Sequence, residues 1–233
     1  TLDASKFMDK FGVVFEKYIG KALSYAGLSY ACERELEREL PGEGQLIDFL
    51  VADGNANIFI DAKGVKISYP GKVTHVAKIL ERSTRDSVLK AIGQAHEVNN
   101  RLRSMTTDNP IIKPRDHSYL IVVTYKELYL GTGKMYYESV AREKIDEMRA
   151  RYSENILIPL ENMYFLTIEE MDFFAEGLER AKADDAQAET QKFEFSQHLG
   201  HWGVTTAPEF LTKIHDPMVD KILNLHKEEG DNG

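Results

Sequence analysis

Residues 45–63 read QLIDFLVADGNANIFIDAK, and the fold is decided there. Two runs of strand-forming residues flank Asp53-Gly54-Asn55, a combination typical of a tight hairpin turn. With Gly54-Asn55 as the two turn residues, Asp53 pairs with Ala56 and Asp48 lies directly opposite Asp61. With Asp53-Gly54 as the turn, the two aspartates become diagonal neighbours instead. Side chains alternate between faces along a strand, so both registers put Asp48, Asp61 and Lys63 on one face. Either way the two carboxylates come within roughly 5–8 Å between Cβ atoms. Two like charges so placed need compensation. Lys63 supplies part of it, and a divalent cation would supply the rest.

That pattern carries a definite chemistry. A hard ion such as Mg²⁺ takes one or two carboxylates together with waters and phosphate oxygens. It can polarise a scissile phosphate and acidify a bound water. An ammonium two residues along can hold the attacking water and offset transition-state charge.

Outward from the hairpin, residues 3–26 predict an amphipathic helix, with Phe7, Phe11, Val14, Phe15, Tyr18, Ile19 and Ala22 at helical spacing and Gly27 as its stop. Gly12, Glu16 and Gly20 form one stripe on it, where another backbone can come close. A first strand is expected over 29–38, with Glu33, Glu35, Glu37 and Glu39 as its solvated face. The hairpin strands are expected over 45–52 and 56–63. A long polar helix over 73–105, re-capped near Ser83 or Thr84, precedes a buried apolar strand at 118–125. A helix over 134–151 and a strand over 163–166 follow, and Thr167 with Glu170 is a capping box opening a helix to 183. The order predicts an α/β fold, a mixed central β-sheet flanked by helices. Residues 1–183 are read as one domain, and 184–233, with the single tryptophan Trp202, as a helical C-terminal appendage.

Composition narrows the function classes. No apolar run approaches the roughly 20 residues a membrane-spanning helix requires, so no membrane partner is expected. The N-terminal residues lack a secretory-signal layout, and Cys32, the lone cysteine, excludes an internal disulfide. A cytoplasmic setting follows as the expectation. The net charge is −9, yet residues 63–115 hold 11 Lys/Arg against four Asp/Glu. Such a basic segment suits phosphate binding.

The spacing of Asp48 from Asp61-Ala62-Lys63 resembles the signature of the PD-(D/E)XK superfamily, the restriction-endonuclease-like nucleases. The stretch Gly12-Val-Val-Phe-Glu16-Lys-Tyr-Ile-Gly20 is similar to the first-helix motif of the Mrr-like, defence-associated branches. The resemblance covers about residues 5–130. Ile47 stands where the name-giving proline would be. It implies an αβββαβ core and hydrolysis of phosphodiester bonds with Mg²⁺ or Mn²⁺, as an endonuclease acting on DNA in restriction or anti-phage defence. Asp48 and Asp61 would be metal ligands beside the Ala62 carbonyl, with Glu16 reaching the ion directly or through water. Lys63 would position the attacking water, and Gln94, on the helix after the Asp-x-Lys strand, would contribute to the site. Cutting both strands implies a homodimer or larger assembly, with room for further domains or subunits. The alternatives are a catalytically silent nucleic-acid-binding or scaffold domain of the same fold, or an RNA nuclease.

Lys66, Lys72 and Lys90 are candidate phosphate contacts. Gly131-Thr-Gly-Lys134 departs from a phosphate loop at Leu128 and Met135. His198 and His201 lack the partners of a zinc site. Cys32 has no indicated catalytic partner and is expected in the core.

Overall fold

The computed structural model describes residues 4–40, 42–64, 81–82, 84–126, 128 and 130–185. The proposed appendage, with Trp202, His198 and His201, lies outside the described residues, as do Lys66, Lys72 and the first part of the expected helix over 73–105.

Five strands form one sheet in the order β1-β2-β3-β4-β5. They are β1 (Tyr30–Cys32), β2 (Phe49–Asp53), β3 (Ala56–Lys63), β4 (His117–Thr124) and β5 (Met163–Thr167). The first three are antiparallel, whereas β3-β4 and β4-β5 are parallel. The expected mixed sheet flanked by helices is therefore present. The hairpin adopts the first of the two registers, with Asp53 paired to Ala56 and Phe49 to Ile60. Gly54 turns with φ +50, a conformation a side chain disfavours.

Alternation along the strands sorts the core onto two faces. Ile58, Ile60, Ile121 and Val123 pack with Phe15, Ile19 and Leu23 of α1 (Ala4–Tyr25) and with Phe174 of the last described helix, α6 (Ile168–Asp185). Leu50, Phe59, Leu120 and Val122 pack on the other side with Ala91, Ile92, Ala95 and Leu102 of α3 (Lys90–Arg103). Asp61 follows Phe59 on that second face and is fully buried. The capping box at the start of α6 forms in both directions, the Thr167 amide donating to Glu170 at 2.7 Å and the Glu170 amide to Thr167 Oγ1 at 3.1 Å.

Three expectations need correction. The first strand ends at Cys32, and Glu33–Glu39 form a short helix, α2. The alternating glutamates imitate a strand, but Leu36 and Leu40, four residues apart, are what the core takes up. The Glu35 carboxylate also accepts from the Cys32 amide at 2.9 Å, starting the helix there. Second, β2 begins at Phe49 rather than 45, so Asp48 stands just outside the strand. The chain before it is bent by Gly42 (φ +101) and Gly44 (φ +122), and Arg101 of α3 pins the bend by donating to the Glu43 carbonyl at 2.6 Å. Third, the helix over 134–151 is three pieces: α4 (Gly133–Tyr136), a wide π turn (Tyr137–Ala141) and α5 (Arg142–Arg149). A second π turn, Arg85–Leu89, leads into α3. Among the described residues no helix is long and apolar enough to cross a membrane.

Candidate functional site

The hairpin pairing ends at Phe49 and Ile60, and Asp48 and Asp61 are the residues next to that last pair. Asp48 is half-buried, and its Oδ2 accepts the Ala62 amide at 2.6 Å. This bond stitches the loop before β2 to the end of β3 and fixes the carboxylate beside Asp61. Burial, and then the charge of Asp61, push the Asp48 carboxyl up to about 8; the Ala62 amide and Lys63 oppose the rise. The pair resists double ionisation, as expected of two carboxylates sharing one site.

Lys63 Nζ lies 2.6 Å from Asp61 Oδ2. The contact is an ion pair without hydrogen-bond alignment, so neither Asp61 oxygen accepts a hydrogen bond although the side chain is fully buried. A buried carboxylate without donors is costly and calls for a compensating charge. A single ammonium at one oxygen compensates only in part.

Gln94 connects this group to α3. Its Oε1 accepts from Lys63 Nζ at 3.4 Å, and its Nε2 donates to the Leu46 carbonyl. The expected glutamine is therefore at the site, holding the lysine rather than standing in solvent. Lys90, the first residue of α3, is exposed.

Glu16 arrives from the opposite face. It is half-buried on α1, and its charge acts on both Asp48 and Glu33. The glycine stripe is real but asymmetric. A Cβ on Gly20 would meet the Phe49 ring at 3.2 Å, whereas one on Gly12 would meet nothing within 4 Å. What comes close to Gly12 is the backbone after β3: a Cβ on Gly64 would lie 3.8 Å from Gly12 Cα. Close passage there sets α1 against the end of β3, one turn before Glu16.

Glu33 was not among the expected site residues. Its amide donates to the Asp48 carbonyl at 2.8 Å, and its half-buried carboxyl is raised by burial, then by Glu37, Glu16 and Asp61. The Glu33/35/37/39 alternation hid it; the capping relation between Cys32 and Glu35 was the available signal.

Among the described residues, no three His, Cys, Asp or Glu side chains stand close enough together to hold an ion as they are. The donors that adjoin are Asp48 and Asp61, with Glu16 and Glu33 farther out. One or two carboxylates plus water is the ligand set a Mg²⁺-like ion usually takes from a protein. Hard oxygen donors and an underpaired buried carboxylate suit such an ion, which Asp48 and Asp61 would hold. Fold and site together define an α/β domain with a carboxylate–lysine centre at the open end of a hairpin. No family model, no characterised protein and no solved structure matches the chain.

Proposed function

We propose that the chain is a metal-dependent nuclease of the restriction-endonuclease-like kind, hydrolysing phosphodiester bonds in DNA. The observation that carries this reading is the fully buried Asp61 carboxylate, with no hydrogen bond to either oxygen, between Asp48 and Lys63.

When bound, Mg²⁺ or Mn²⁺ would supply Lewis-acid polarisation of the phosphate and an acidified water. Asp48 and Asp61 would hold that ion, and the Ala62 amide fixes the Asp48 carboxylate beside Asp61. The Ala62 carbonyl and Glu16 would add to that ligand set. Lys63, drawn between Asp61 and Gln94, orients the nucleophilic water and offsets charge growing on the phosphoryl oxygens. Gln94 restrains the ammonium, so its reach toward substrate is set by α3. A DNA partner, assembly as a homodimer and a role in defence belong to the same reading, on resemblance alone.

Plasmid cleavage with Mg²⁺ or Mn²⁺ tests it, comparing wild type with Asp61→Ala and Lys63→Ala and running an RNA substrate in parallel. The expected result is cleavage by wild type and a loss of at least about 100-fold in each variant, in line with removal of a group that stabilises transition-state charge. Variants that cut at the wild-type rate would falsify the site. RNA cleavage without DNA cleavage would move the substrate class, and binding without any cleavage would favour the silent scaffold.

A further inference from the structure

A cleft of 660 Å³ lies behind the carboxylate site, between α1 and the β1-α2 segment. Four cations line it in two pairs: Lys17 and Lys21 on α1, Arg34 and Arg38 on α2. Each pair is spaced i,i+4, so its members project from one helix face about 6 Å apart along the axis. All four are exposed. Lys17, Lys21 and Arg34 have no ion pair among the described residues, whereas Arg38 is ion-paired and hydrogen-bonded to its neighbour Glu39 at 3.3 Å. Like charges at that spacing repel one another along a helix face. The acids in the lining offset the four only in part: Glu35 accepts the Cys32 amide and also feels the charge of Arg38, and Glu16 acts on Asp48 and Glu33.

The floor is rigid. The Phe49 ring is 4% exposed, meets Tyr30 edge-on with centroids 5.6 Å apart, and lies directly under Gly20. The Tyr30 hydroxyl is held by the Gly20 carbonyl at 3.2 Å. Phe49 follows Asp48 in the chain and Glu16 lines the cleft wall, so the cleft and the carboxylate site share a border.

We propose that this cleft binds the phosphodiester backbone of a nucleic-acid strand, holding the phosphates that flank the one at Asp48 and Asp61. Two rows of cations on either side of a groove match a chain of evenly spaced anions, and phosphates bound there displace condensed counterions. The position relative to the carboxylates rests on the nuclease reading. The affinity for a polyanion does not.

The test measures anisotropy of short labelled DNA, duplex and single-stranded, against salt concentration in EDTA, where nothing is cut. Wild type is compared with Lys17→Glu/Arg34→Glu, and with Arg142→Glu/Lys144→Glu as an equal change of charge on the other side of the sheet. The cleft double variant is expected to bind at least tenfold more weakly at 0.1 M salt. Its log–log salt slope should shrink by about two contacts' worth, at roughly 0.9 per phosphate for duplex. The control pair should move far less, and thermal melts should show both variants folded. Equal losses in the two double variants, or none in either, would overturn the proposal. Metal-dependent cleavage is read separately on plasmid. Cleavage with no cleft effect sinks the cleft alone, and a cleft effect with no cleavage under any metal sinks the nuclease reading alone.

Discussion

Replacing Asp48 by Asn should change how the stability of the protein depends on pH, and the size of the change follows from the site. Unfolded, an aspartate loses its proton near pH 3.9. Folded, Asp48 keeps it up to about 8, first because it is buried and then because Asp61 is beside it. A folded-state value raised in this way contributes stability that is fully present below pH 4 and is lost as pH rises toward 8. Between pH 5 and 7 the folded protein holds a proton that the unfolded chain has released, so each pH unit costs up to about 1.4 kcal/mol. Over two units wild type should lose at most about 2.7 kcal/mol relative to Asp48→Asn, whose amide does not titrate and whose carbonyl can still accept the Ala62 amide. The contribution of His96, which does not act on Asp48, cancels in the difference. Urea unfolding at pH 5, 6 and 7 in EDTA, followed by circular dichroism, gives the two curves. Curves that stay parallel would mean that Asp48 ionises normally in the folded protein, and the argument for two carboxylates forced together would fail.

Three further outcomes are expected. Mn²⁺ at about a hundredfold excess over its dissociation constant should stabilise wild type by about 2.7 kcal/mol, which is about 5–10 °C in melting temperature for a domain of this size. Asp61→Asn should show no shift by scanning fluorimetry, and an equal shift in that variant would place the ion elsewhere. His96 is fully buried, and burial, then Arg149, push its imidazole down to about 4. The unfolded chain takes up that proton near pH 6.5, so stability should fall by up to about 3 kcal/mol as pH drops from 6.5 to 4. His96→Phe, keeping a ring against Tyr152, should flatten this limb in acid unfolding curves; an unchanged limb would refute the assignment. Gly133→Ala would bring a Cβ within 2.5 Å of both the Leu160 carbonyl and Met163 Cβ. Overpacking of that kind costs about 1–3 kcal/mol, and an unchanged urea midpoint would show that the loop yields freely.

The hairpin was the most legible part of the chain because its turn residues and alternation restrict the pairing to two registers. Choosing between them needed the observed pairing of Asp53 with Ala56. The buried strand β4 and the capping box at Thr167 were equally readable, since an apolar run and a reciprocal cap are local signals. Helix α2 was not, because Glu33, Glu35, Glu37 and Glu39 repeat every two residues while Leu36 and Leu40 carry a competing four-residue period. Tertiary burial of the leucines decided the matter. Gln94 could be named from its place after the Asp-x-Lys strand, but its hold on Lys63 depends on how α3 packs. The basic cleft had no linear signature. Its cations come from two helices separated by β1, and only the fold brings them to one groove.

Gln94 gives the centre a built-in direction. A carboxamide has a donating end and an accepting end, and here the donating end is already claimed by the Leu46 carbonyl. The oxygen therefore faces Lys63 and accepts from its Nζ. A carboxylate at position 94 would set two acceptors against each other at Leu46. The amide thus works as an oriented connector, linking Lys63 to the loop Arg101 clamps. A disturbance of the Gly42–Gly44 bend would reach the ammonium through two hydrogen bonds, without touching either aspartate.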